Sequence, residues 1–161
     1  MSDKPIQDFY PDNVAICYGC GRHNEHGLHV KTYWNGEEGI ARFTPKPYHT
    51  AFPGFVYGGL LASLIDCHSI GTAIEAMYQA EGRTPNSAPE ITCVTGNLNV
   101  SYHKPTPIGT ELLLRARIKE LTPKKAVITV SVFAGEQECV TAQVIAIRVK
   151  SRATMGENST E

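Results

Sequence analysis

Asp66 and the pair Gly58-Gly59 are the residues of this chain best placed to do chemistry, because all three fall in one apolar run, Tyr57 to Ala80. Aspartate ordinarily favours caps and turns, where its side chain competes with the backbone for hydrogen bonds. An acid two turns inside an apolar helix is therefore out of place. The structural alternative is a buried acid bonded to backbone or to Ser69; the glycine turn and its spacing weigh against it. A helix that starts at Gly58-Gly59 carries unpaired N–H groups at the positive end of its dipole, with no side chain to block an approaching carbonyl. A carboxylate that acts as base or nucleophile, with N–H donors for a carbonyl oxygen, is the equipment of acyl transfer to water.

A second group with chemical potential lies upstream. Cys17-Tyr18-Gly19-Cys20 with His23 and His26 has the composition of a metal site. Those four candidates follow one another at three-residue intervals, without the long loop between ligand pairs of a zinc finger, and only one Cys pair is present. A redox Cys-x-x-Cys would open a helix, which Gly19 and Gly21 oppose. The residues read as structural thiols in a loop, and no metal is expected. Five cysteines are an odd number, and Cys67, Cys93 and Cys139 stand alone in apolar or strand-like surroundings. Free buried thiols suit a reducing compartment, so the expected location is cytoplasmic.

The elements that must position these groups follow from periodicity. Residues 1–26 form an irregular lead-in that wraps over the domain, residues 27–150 form the domain, and the polar tail 151–161 is expected to be disordered. The pattern predicts strands at Gly27–Trp34 and Glu38–Thr44, joined by a turn at Asn35-Gly36. One long helix runs from Tyr57 to about Ala80, with Leu60, Leu61, Leu64, Ile65 and Ile74 on a broad apolar face. Gly59, Ala62, Asp66, Ser69 and Ala73 form a stripe of small residues through which a ligand or a second backbone can approach. After a loop at Glu81–Glu90 come four alternating runs: Ile91–Tyr102, Thr110–Leu121, Lys125–Ala134 and Glu138–Lys150. Leu112, Leu114, Ala116 and Ile118 alternate with Arg115, Arg117 and Lys119, so one side of the sheet is buried and the other wet. Strict alternation sends Val94, Leu98 and Val100 to the core and Thr95, Asn97 and Asn99 to the polar side, unless the ladder bulges at Gly96. The order predicts an α+β fold in which an antiparallel sheet of about six strands wraps one central helix.

Charge and motifs exclude several classes. A net charge of -1 gives no basic field for nucleic acid or an anionic membrane. The start, Met1-Ser2-Asp3-Lys4-Pro5, carries no leader pattern, and no run is expected to reach the length of a bilayer span. No P-loop or dinucleotide fingerprint occurs, which argues against nucleotide hydrolysis and hydride transfer.

Phe52-Pro53-Gly54-Phe55-Val56-Tyr57-Gly58-Gly59 through Asp66, with Cys17-Tyr18-Gly19-Cys20-Gly21 upstream and Thr95-Gly96-Asn97-Leu98-Asn99-Val100-Ser101-Tyr102 downstream, resembles the hotdog-fold acyl-CoA thioesterases. The likeness runs over about residues 15–149 and is nearest to the phenylacetyl-CoA thioesterase group. That family's pattern is His-Gly-Gly followed by an acid at the spacing of Asp66; Tyr57 stands where the His would be. The resemblance implies hydrolysis of an acyl-CoA to a free acid and coenzyme A, with Asp66 as general base or nucleophile, the Gly58 N–H as oxyanion donor and Thr95 positioning water. Tyr57, Gly59, His49 and Asn97 are the expected substrate contacts. It implies a homodimer, or a dimer of dimers, whose site joins Gly58 of one chain to Asp66 of the other. No cofactor is expected beyond the coenzyme A of the substrate. A thiol with a pKa of about 8.5 leaves without a strong general acid, so this small inventory suffices. The competing reading, motivated by Tyr57, is a noncatalytic acyl-CoA or acyl-ligand binding protein on the same scaffold.

Overall fold

A computed structural model describes residues 1–150 of the chain; the expected tail at 151–161 lies outside them. The elements are a 3-10 turn at Ile6–Phe9, strands β1 (Tyr33–Trp34) and β2 (Glu38–Phe43), helix α1 (Gly58–Ala80), and strands β3 (Thr92–Tyr102), β4 (Leu112–Leu121), β5 (Lys125–Ala134) and β6 (Gln137–Val149). All six strands pair antiparallel in one sheet of order β1-β2-β4-β5-β6-β3. The expected hotdog architecture is therefore present. The first strand is much shorter than the Gly27–Trp34 expected. His29 adopts φ 54°, a left-handed conformation that interrupts extended backbone, and pairing begins only at Tyr33.

The helix is apolar almost all round and must be covered on most sides. Leu60, Leu61, Leu64, Ile65 and Ile74 are buried against the inner face of the sheet, where Leu112, Leu114, Ala116, Ile128 and Val144 are buried too. The small-residue stripe is only partly open: Ser69 and Ala73 are buried, whereas Ala62, Ser63, Asp66, Cys67 and Ile70 are half-buried. By length and composition α1 matches a bilayer-crossing helix, contrary to the expectation that no run comes near that size, yet 72% of its apolar window is buried inside the fold.

The lead-in fastens to this core through a polar network. Ile6 N–H donates to the Thr32 carbonyl at 2.9 Å, and the Gln7 side chain bonds both the Thr32 hydroxyl (3.0 Å) and the Thr32 N–H (2.8 Å). The Thr32 hydroxyl in turn meets His68 Nδ1 at 3.0 Å. Three segments distant in sequence are thus tied two residues from Asp66. Buried hydrogen bonds of this kind fix one arrangement, because breaking any of them strands its partner. Glu38 closes the other flank, its buried carboxylate bonded by Arg115 (3.1 Å) and Arg117 (2.9 Å) across β2 and β4.

Burial pushes the pKa of His68 down to about 4, against weaker opposition from the backbone of Gly39 and Leu114, so the imidazole is neutral in the fold. An unfolded histidine takes up its proton near pH 6.5, so below that pH the unfolded chain binds a proton that the fold refuses. This contribution to stability is whole above that value and is lost as pH falls towards 4. In denaturant titrations across that window, His68→Gln should flatten the dependence of stability on pH; an unchanged slope would place the sensitivity elsewhere.

Candidate active site

Asp66 is the ninth residue of α1 and half-buried, and it accepts a hydrogen bond from the hydroxyl of Thr95 on β3. The sheet delivers Thr95 through a bulge. Thr95 pairs with Ala146 and Asn97 with Ile145, leaving Gly96 as an extra residue that shifts the register. Ala146 is buried on the helix side, so Thr95 points the same way and reaches the carboxylate. The same shift corrects the expected alternation. Val94 lies on the outer face, 47% exposed, while Cys93 is buried and Val100 packs on the core. Asn97 stands opposite Ile145 on the outer face and is not brought to Asp66.

Asp66 and Thr95 open into a cavity of about 320 Å³, lined mostly by apolar groups. Ile6, Phe9 and Tyr10 of the lead-in line it together with Ile70 and Ile74 of α1 and Ile91 beside β3. A cavity of this size and character can take an apolar group of modest length beside the carboxylate. The lead-in's part in this lining was not anticipated. Its only sequence signal is the cluster Ile6, Phe9, Tyr10 within otherwise polar residues. Four thiols border the same cavity, and three of them form a cluster: Cys17 and Cys20 from the lead-in and Cys67 from α1 have sulfurs within 4.8 Å of one another, while Cys93 on β3 stands apart. A hydrogen bond from Cys67 lowers the pKa of Cys20, and Cys67 is itself pushed up by that bond and by burial.

The start of α1 faces a second hollow, bordered by Phe52, Phe55, Gly58, Tyr102 and Lys104. Among the described residues the N–H groups of Gly58 and Gly59 donate to no acceptor, and Tyr57, at the N-cap, supplies no side-chain cap. The Tyr102 hydroxyl donates to the Gly58 carbonyl at 2.7 Å, which fixes the first turn against β3. Tyr57 is 58% exposed, and its ring packs on Gly59 so closely that a Cβ there would lie 2.7 Å from its hydroxyl oxygen. His49 belongs to the preceding loop, where Nδ1 accepts from the Lys46 N–H at 3.0 Å and the carbonyl accepts from the Tyr57 N–H at 2.9 Å. It shapes the approach to the helix rather than meeting Asp66. Of the basic residues near loops and strand ends, Lys104 borders this hollow; Arg83 is occupied by Glu81 at 2.6 Å and Ser87 at 3.0 Å.

Within one chain these two places are separate. Eight residues of helix at 1.5 Å each hold the Gly58 N–H and Asp66 about 12 Å apart, too far to act on one carbonyl group.

Residues 53–141 match the family model of the thioesterase superfamily, so the chain belongs to that superfamily. A thioesterase superfamily protein from Shewanella loihica is 43% identical over 78% of this chain and 95% of its own, with a TM-score of 0.62. A Streptococcus mutans protein solved with acetyl-CoA shares the fold at 19% identity and a TM-score of 0.61, covering 75% of this chain and 89% of that one. The acyl-coenzyme A thioesterase THEM4 of Xenopus laevis is 24% identical over 69% of this chain. The chain spans only 44% of that relative's length.

Gly96 is the residue on which Thr95's position depends, since a Cβ there would come within 2.8 Å of Ile147 Cγ1. Gly96→Val should therefore reset the bulge, cost about 1–3 kcal/mol in chemical denaturation through overpacking, and weaken hydrogen-exchange protection around Thr95. Wild-type stability in the variant would mean that the bulge does not need glycine.

Proposed function

We propose that the protein hydrolyses acyl-CoA thioesters to a free acid and coenzyme A, in a site shared by two copies of the chain. The observation that carries this reading is Asp66, held by Thr95 at the mouth of an apolar cavity, while the unpartnered Gly58 N–H sits at the far end of the same helix turn series. A second copy can bring its Gly58 to the first copy's Asp66. Strand β3 suits that pairing: it is an edge strand of 11 residues, and Val94, Leu98 and Tyr102 leave it exposed and apolar. Superfamily membership and the acyl-CoA thioesterase relatives support the reaction class.

The chemistry then runs as follows. The Thr95 hydroxyl donates its hydrogen bond to Asp66, so its oxygen lone pairs accept from a water whose other proton faces the carboxylate. Asp66 takes that proton as the water oxygen bonds the carbonyl carbon. The oxyanion forms against the Gly58 N–H, aided by the helix dipole. Collapse breaks the C–S bond, and the departing thiolate takes the proton back from Asp66. The acyl chain lies in the cavity between the lead-in and α1. Asp66 acting directly as nucleophile uses the same inventory.

The second reading, an acyl-CoA binding protein without turnover, is favoured by Tyr57 alone, since a phenol hydroxyl lacks the basic ring nitrogen of a histidine. A thiol-reactive dye assay over short, long and aromatic acyl-CoAs separates the two. Asp66→Asn should lower kcat at least about a hundredfold, and Thr95→Val about tenfold, with circular dichroism unchanged. Full turnover by Asp66→Asn would exclude the assignment, and full activity from a strictly monomeric species would exclude the shared site.

A further inference from the structure

We propose that Cys17, Cys20 and Cys67 bind one zinc ion through their sulfurs, clipping the lead-in to the central helix beside Asp66. All three sulfurs lie within 4.8 Å of one another, and Cys17 Sγ is 3.8 Å from Cys67 Sγ. Sulfurs bound at about 2.3 Å to a tetrahedral zinc stand about 3.8 Å apart, so the cluster has the dimensions of a coordination sphere. None of these cysteines forms a disulfide.

The backbone holds the ligands ready. Cys17 and Cys20 have the two-residue separation of one half of a zinc site, and their turn is closed by the Gly21 N–H on the Cys17 carbonyl at 2.7 Å. Within the turn, the Tyr18 carbonyl accepts from the Leu28 N–H at 2.8 Å and the Gly19 carbonyl from the Val30 N–H at 2.9 Å. Gly19 lies so close to Cys67 that no side chain fits between them. A loop fixed in this way needs little ordering when the ion arrives.

Three soft thiolates select zinc or copper(I) over magnesium and calcium. Binding exchanges three S–H bonds for three Zn–S bonds and releases the thiol protons to solvent, so affinity rises with pH. All three cysteines border the cavity that holds Asp66 and Thr95, so a water completing the tetrahedron would come from that space. The third ligand comes from the helix, 50 residues beyond the first. Spacing around Cys17 and Cys20 therefore gave no sign of it.

The test uses the full chain, purified under reducing conditions without chelator. Elemental analysis should find about one zinc per chain, and cobalt(II) added to metal-free protein should give thiolate charge-transfer absorption. Cys17→Ser and Cys67→Ser should each lower zinc content at least about fivefold and abolish that absorption, whereas Cys139→Ser, far from the cluster, should change neither. Asp66→Asn should keep its zinc, which separates this site from the hydrolytic reading. Fully reduced protein without a cobalt band would overturn the proposal. So would zinc retained by Cys67→Ser, or a thiol count of three showing a disulfide in the cluster.

Discussion

The structure depends on one demand: a helix of 23 residues that is apolar on nearly every side has to be kept from water. A sheet can cover only part of a cylinder, so six strands curl around α1 and the lead-in closes much of the rest. What stays half open is a strip through Ala62, Ser63, Asp66, Cys67 and Ile70. An ionised carboxylate buried without partners would be very costly, and this strip is where α1 can hold one. The acid is therefore at the place where wrapping is incomplete, which is also where a ligand can enter.

The helix also sets a distance. Its rise keeps the bare amides of the first turn and the carboxylate apart by about two turns, and no side-chain rotation can close that gap. In the shared-site reading proposed above, this separation would leave each chain with two halves of different sites, one at each hollow. The long uncovered strand β3 runs past both, contributing Thr95 to one and Tyr102 to the other. Pairing along that edge would satisfy unpaired backbone groups and join complementary halves in a single step.

The lead-in is more than a covering. Thr32 links Gln7 to His68, which anchors the segment two residues from the acid, and Phe9 and Tyr10 complete the cavity wall. Its thiols then lie against the residue next to Asp66. A length of chain without regular structure thus defines the cavity's volume, and an ion bound at its cysteines would hold that wall in place.

Much of this was legible in the residues. The change from alternating to helical periodicity at Tyr57, the turn at Asn35-Gly36 and the polar breaks between the later strands place α1 and β2 to β6 within a few residues of where they lie. The oddity of an acid within an apolar helix, beside two glycines, singled out Asp66 and Gly58. Local features of this kind are written in local sequence, because periodicity and turn chemistry act over a few residues. Which face Thr95 and Val94 occupy was not settled there: Gly96 marked where a bulge could fall, but only the pairing with β6 shows that the extra residue is present and inverts the phase before it. The missing length of β1 had a similar origin in a single left-handed residue, His29. The lead-in wall and the meeting of Cys17 and Cys20 with Cys67 required the finished packing, because contacts between segments 50 residues apart leave no period in the chain; they exist only once the helix has a place to be buried.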